Sequence, residues 1–207
     1  MKLAASHELF AYWTQLRGAR SAPERNEVDP GAIRGVLADT FILEVDESLG
    51  YPMRIAGSRT SNLFLRELRG APFLDLWREQ DRREVSEILA SVTDDAAPVL
   101  AGVCAGPRGL PGLECEVLLL PLRHHGDTHA RILGCCTPGS NPQWLGLASV
   151  SGLSLISLRV LNRAHSPTLP RQSEDALSRP DSVGFGRMPE LHRHRHLHVV
   201  GGTNHSR

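Results

Sequence analysis

The sequence predicts an α+β fold with a five-stranded antiparallel sheet, helices on one face of that sheet, an N-terminal helix and a disordered C-terminal tail. Three observations predict it. Five β-rich runs are separated by turn residues, and the last three follow one another as hairpins, which indicates antiparallel pairing. Helical apolar spacing occurs before the first run and between the second and third. After residue 165 large apolar residues become scarce.

The N-terminal helix is predicted by Leu9, Trp13 and Leu16, which recur at positions i, i+4 and i+7. Gly18 suits its C-terminal end. Residues 1–28 are therefore assigned to this helix and a polar loop, and residues 29–162 to the sheet domain. Asp29 and Pro30 are typical of a helix start, so a second, short helix is expected there.

The sheet domain follows from alternating strand and helix patterns. A hairpin is predicted over 40–56, a short helix after Gly57, and a longer helix over 81–92 with one apolar face. Three strands are then expected over 98–104, 114–122 and 130–136. The sequence GPRGLPG over 106–112 lacks the spacing of a phosphate-binding loop, so it is interpreted as a hairpin loop.

Composition excludes several functional classes. Lys and Arg together number 23, as do Asp and Glu, and a net charge of zero argues against general nucleic-acid binding. No apolar run reaches the roughly 18 residues that a membrane-spanning helix needs. The first residues lack the apolar core of a secretory signal, so a cytoplasmic protein with free thiols is expected.

The predicted tail, 163–207, is rich in Arg, His and Pro and carries a net charge of +3. Four histidines alternate there with other residues, so they would share one side of an extended chain and could hold a metal ion loosely. A solvated, flexible tail is the simpler interpretation. The histidines are His192, His194, His196 and His198.

Several spaced motifs resemble the PAS_5 family, a group of small PAS-like proteins common in alphaproteobacteria. The first is ELFAYWTQLRGARSAPERNEVDPGAI (8–33), the second RIAGSRTSNLFLRELRGAPFLDLW (54–77), and the third VLLLPLRHHGDTHARILGCCTP (117–138). The resemblance covers roughly 8–162. It implies the PAS layout of two strands, a helical middle and three further strands in one antiparallel sheet.

The resemblance implies a non-enzymatic sensory or regulatory module that binds a small molecule or a partner protein and signals through protein contacts. No histidine or cysteine stands in a setting that matches the haem-binding or flavin-binding PAS groups, so neither cofactor is supported and the cofactor is unknown. No catalytic residues are identifiable. No attached kinase, cyclase or DNA-binding module is visible, so a signal would need another protein.

Candidate ligand-pocket residues follow the second predicted strand. Glycine permits a tight strand-to-helix turn there, and arginines near a helix start can bind a carboxylate or a phosphate. The alternative is that these arginines only brace the short helices. The candidates are Arg54, Gly57, Ser58, Arg59, Phe64 and Trp77.

Candidate dimer-interface residues lie on the N-terminal helix. Apolar side chains occupy much of its circumference, which suggests packing against a second copy as well as against its own domain. We therefore expect a homodimer through Phe10, Tyr12, Trp13 and Leu16.

Two rival hypotheses remain open. The first is a ligand-free adaptor whose sheet face is filled by side chains, and the second is an enzyme of unrecognised type. Redox chemistry is a weaker hypothesis. A hairpin centred near 109–110 would place Cys104 opposite Cys115, where a bond could form. Cys135 and Cys136 are adjacent on a strand, so their side chains would point to opposite faces. The residues expected to fill the sheet face are Phe41, Leu43, Leu118, Leu120 and Leu133.

Overall fold

The structure is a computed structural model that describes residues 1–126 and 128–161. The predicted tail over 163–207 lies outside the described residues. His192, His194, His196 and His198 therefore lie outside them as well.

The sheet is antiparallel, as predicted, and it has six strands where the sequence predicts five. The added strand, β6, pairs with β3 and forms one edge, so the spatial order is β2-β1-β5-β4-β3-β6. The strands are β1 (Thr40–Glu44), β2 (Met53–Ala56), β3 (Val99–Ala105), β4 (Leu113–His124), β5 (Thr128–Pro138) and β6 (Leu153–Val160).

Three α-helices pack on this sheet: α1 (Ala4–Arg17), α2 (Ser58–Phe64) and α3 (Glu79–Asp94). Short 3-10 turns occur over 25–27, 37–39 and 73–76. The helix predicted after Asp29–Pro30 does not form, and that stretch is a series of turns. Gly31 and Gly35 explain the difference, because glycine disfavours a helix by about 1 kcal/mol per residue.

The helices cover both faces of the sheet. Helices α2 and α3 lie on one face, as predicted, while α1 lies on the other. Both α1 and α3 contact the central strands β4 and β5, so these strands are buried from two sides. Strands buried on both faces need near-continuous apolar sequence, which the run from Val117 to Leu122 supplies. We call the two surfaces the α1 face and the α2–α3 face.

The five residues predicted to fill one sheet face divide between the two faces. Phe41 and Leu43 belong to the α2–α3 face, whereas Leu118, Leu120 and Leu133 belong to the α1 face. The reason is the strand register: Leu118 stands opposite Cys135 and Leu120 opposite Leu133. Because side chains alternate along a strand, only the register decides which residues share a face.

Two glycines allow close packing around the first strand. A Cβ at Gly134 would collide with the ring of Phe41, its partner across β1 and β5. A Cβ at Gly57 would collide with the carbonyl oxygens of Leu37 and Ala38. Gly57 also donates its N–H to Thr40 O at 2.8 Å, so this glycine joins α2 closely to the start of β1.

No helix in the described part of the chain has both the length and the apolar character to cross a bilayer.

Candidate functional site

The space between the sheet and helices α2 and α3 is packed with side chains. The ring centroids of Phe41 and Phe73 lie 5.3 Å apart, and those of Phe73 and Trp77 lie 5.9 Å apart in an edge-to-face arrangement. Leu89 and Val92 of α3 are fully buried against the same cluster. Such aromatic contacts add about 0.5–1.5 kcal/mol each beyond the burial of their area.

The six predicted pocket residues divide between the surface and this core. Phe64 and Trp77 are buried in the core, whereas Arg54, Ser58 and Arg59 are exposed. Gly57 is the residue that precedes α2.

Both predicted pocket arginines have acidic partners. Arg54 forms an ion pair with Glu44, which also pairs with Arg131 at 3.1 Å. Arg59 Nη1 donates to Asp39 Oδ2 at 2.6 Å. These contacts agree with the alternative that the arginines brace the β1–β2–α2 region.

Asp39 is the most unusual of these acidic groups, because its side chain has no exposed surface. Its second carboxylate oxygen, Oδ1, has no hydrogen-bond partner among the described residues. Burial raises the pKa of Asp39, and the positive charge of Arg59 partly opposes that shift. The backbone carbonyl of Asp39 accepts from Thr60 Oγ1 at 2.9 Å, so two bonds attach α2 here.

A cleft of about 580 Å³ lies between the start of α3 and the β3–β4 loop. One wall is formed by the 3-10 turn and the first turn of α3, and the other by the loop and Ser151. Ser151 fixes the loop, because its N–H and its hydroxyl both donate to Gly106 O at 3.0 Å. The lining residues are Asp75, Trp77, Arg78, Glu79, Arg82, Pro107, Arg108, Gly109, Leu110 and Ser151.

Of the predicted pocket residues only Trp77 lines this cleft. Arg78 and Arg108 are cleft residues that sequence reasoning did not select. The hairpin-loop interpretation of 106–112 is confirmed, since the segment joins β3 to β4. Its proximity to α3 is a long-range contact that local pattern does not reveal.

The four candidate dimer-interface residues pack against the apolar cluster on the α1 face of the same chain. Phe10 is 6% exposed and Trp13 is 1% exposed, and both pack on the α1 face. Tyr12 and Leu16 are partly buried against the same cluster. The exposed positions of α1 include Glu8, Ala11 and Gln15, so the large apolar side chains left for a second surface are the partly exposed Tyr12 and Leu16. The homodimer itself stays a prediction.

The predicted pairing of Cys104 with Cys115 is wrong by one residue. Cys104 stands opposite Glu114, and Val103 stands opposite Cys115. A shift of one residue moves a side chain to the other face of the sheet, so the two sulfurs point apart.

All four cysteines are free, and burial raises the pKa of Cys135 to about 11, which suppresses its thiolate. Within residues 1–126 and 128–161 no group of His, Cys, Asp or Glu side chains is arranged to hold a metal ion.

Comparison with known proteins finds one family match and a distant structural similarity. A PAS-domain family, PAS_5, matches residues 1–137, which end before β6. A solved structure of an RsLOV variant is 18% identical, with a TM-score of 0.37, and the match covers 53% of this chain and 67% of that one. No curated protein matches the chain. Because the family match spans well over half of the sequence, the chain belongs to the PAS_5 family of PAS domains.

Proposed function

We propose that this PAS domain is a non-enzymatic regulatory module whose output passes through contacts with another protein. In this proposal the core between the sheet and α2–α3 is a scaffold and not a chamber for a ligand. The proposal combines the regulatory role expected of the family with the adaptor hypothesis, in which side chains fill the core.

The packing of Phe41, Phe73 and Trp77 is the observation that carries the proposal. These rings occupy the layer between the sheet and the helices, which is where a ligand inside the domain would have to lie. A drug-sized ligand needs a cavity of about 300–1,000 Å³. Opening such a space here would displace fully buried aromatic side chains.

Native mass spectrometry of the full chain purified from its own host tests the proposal. We expect the mass of the polypeptide without a small molecule held in the core. A stoichiometric small-molecule adduct would overturn the proposal if it persists both in the wild type and in Arg108→Gln, because that variant alters only the external cleft.

One candidate for the proposed protein partner is a second copy of this chain. Removing α1 would uncover Leu118 and Leu120, so a deletion is a poor test of a dimer through this helix. Ala11→Arg combined with Gln15→Glu changes only exposed positions of α1. Light scattering should show a dimer for the wild type and a monomer for this variant, and a wild-type monomer would remove the second copy from the proposal.

A further inference from the structure

We propose that the cleft between the start of α3 and the β3–β4 loop binds a small organic anion that carries one carboxylate on an apolar body. This goes beyond the proposed function, because the ligand would lie outside the packed core and would not need it to open. The shape of the cleft, its unpaired charges and its exposed apolar side chains favour such a ligand.

The size of the cleft fits a small molecule. Its volume of about 580 Å³ falls within the range of about 300–1,000 Å³ that is common for ligand sites. Its walls come from sequence-distant segments, since residues 75–82 face residues 107–110 and Ser151. The hydrogen bonds from Ser151 to Gly106 hold the loop wall in place without a ligand.

The charges of the cleft leave two arginines unpaired. Arg82 is already held, with Nη1 3.1 Å from Asp75 Oδ1 and Nε donating to Trp77 O at 3.2 Å. Arg78 and Arg108, one on each wall, form none of the ion pairs found in the described part of the chain. An arginine guanidinium binds a carboxylate through charge-assisted, often bidentate hydrogen bonds. The two unpaired arginines therefore favour an anion between the walls.

One acidic residue limits the charge of that anion. Glu79 also lines the cleft and has no cationic partner among the described residues, so the unpaired groups sum to a single positive charge. A second negative charge on the ligand would be repelled by Glu79. A monocarboxylate thus matches the cleft better than a phosphate dianion.

The apolar lining indicates the rest of the ligand. Pro107 and Leu110 contribute apolar surface to the cleft walls, and Leu110 is 47% exposed although it is a large apolar residue. Trp77 also lines the cleft, but it is only 3% exposed and offers a ligand little of its ring. Covering apolar surface stabilises a complex by about 25 cal/mol per Å². An aromatic or branched aliphatic body beside the carboxylate would use this surface, whereas an inorganic anion would leave it in water.

The test is a titration of the ¹⁵N-labelled full chain with 1-naphthoate, followed by the backbone amide signals. We expect shifts at Gly109 and Ser151, and at least a tenfold weaker affinity in Arg108→Gln and in Arg78→Gln. Arg83→Gln is the matched control, because Arg83 also lies on α3 but is 91% exposed and pairs with Glu87 outside the cleft. Its affinity should equal that of the wild type.

Three results would overturn the inference. Absence of shifts at the cleft would remove the site, and equal binding of 1-naphthol would remove the role of the negative charge. Equal binding of inorganic phosphate would remove the role of the apolar body. Each result leaves the packed core untouched, so the inference and the proposed function can fail separately.

Discussion

The two long helices, α1 and α3, cross the same strands, β4 and β5, but they lie on apolar clusters of different size, and a side chain within α1 is also hydrogen-bonded to β4. The α2–α3 face is a continuous apolar cluster with three aromatic rings in contact. The α1 face is also apolar, but specific polar bonds attach its helix to the sheet. Trp13 Nε1 donates to Pro121 O at 2.8 Å, and Glu116 accepts from the backbone at the start of α1.

This difference indicates how each layer can be loosened. A continuous core resists change because any opening creates a cavity, and the cost grows with cavity volume. The α1 layer is the smaller apolar cluster, and α1 is the one α-helix of the described residues on that face, so it can detach without opening the α2–α3 core. We therefore expect α1 to detach from the sheet at a lower cost in free energy than α3. A variant on one face should affect mainly the helix that lies on that face.

The largest effect is expected from Phe73→Ala on the α2–α3 face. Phe73 contacts the rings of both Phe41 and Trp77, so its loss should lower the free energy of unfolding by about 3–5 kcal/mol. Urea denaturation measures this. Ile55→Ala, at a side chain 43% exposed on the edge strand β2, should change the stability by only about 0.5 kcal/mol. Similar losses for the two variants would contradict a tightly packed core.

A smaller effect is expected from Trp13→Phe on the α1 face. Phenylalanine keeps most of the buried apolar area but leaves Pro121 O without its donor, which should cost about 1–3 kcal/mol. Hydrogen exchange should show faster exchange in α1 than in the wild type, with α3 nearly unchanged. Equal acceleration in both helices would indicate that the two layers open together.

Glu116→Ala should have a still smaller effect. Glu116 Oε1 accepts from Lys2 N at 2.6 Å and Oε2 accepts from Leu3 N at 3.2 Å, so a side chain of β4 anchors the two residues that precede α1. Loss of such a hydrogen bond costs about 0.5–1.5 kcal/mol. The control is Glu114→Ala, at an exposed position on the same strand. Denaturation midpoints that match for the two variants would show that this anchor contributes nothing.

The smallest predicted effect is a change in pH dependence at the junction of α2 and β1. Because burial raises the pKa of Asp39, the folded state binds its proton more tightly than the unfolded state does. Its contribution to stability is therefore complete below the ordinary pKa of 3.8 and is lost as pH rises through the folded pKa. Asp39→Asn should flatten this part of the stability profile, as urea midpoints at several acidic pH values would show. A profile that still falls with pH in the variant would assign the effect to another group.

Local sequence pattern predicts much of the fold. The helical spacing over 81–92 corresponds to α3, and the predicted strands over 98–104, 114–122 and 130–136 lie within one or two residues of β3, β4 and β5. These elements have strong apolar periodicity of their own. The hairpin over 40–56 also forms, with β2 shorter than predicted.

The sequence could not supply the long-range arrangement. Serines at 154 and 157 interrupt the apolar pattern of β6, and its pairing with β3 joins distant residues. The face occupied by α1, and the face to which Phe41 or Leu118 belongs, depend on strand register. The cleft depends in the same way on the approach of the β3–β4 loop to α3, so Arg78 and Arg108 carried no signal of their own.

Native-state hydrogen exchange on the full chain tests the separation of the two layers most directly. Amides of α1 should exchange through a partial opening whose free energy is lower than that of the amides around Leu89 in α3, which should require global unfolding. The same exchange free energy for both helices, over a range of low denaturant concentrations, would contradict the account.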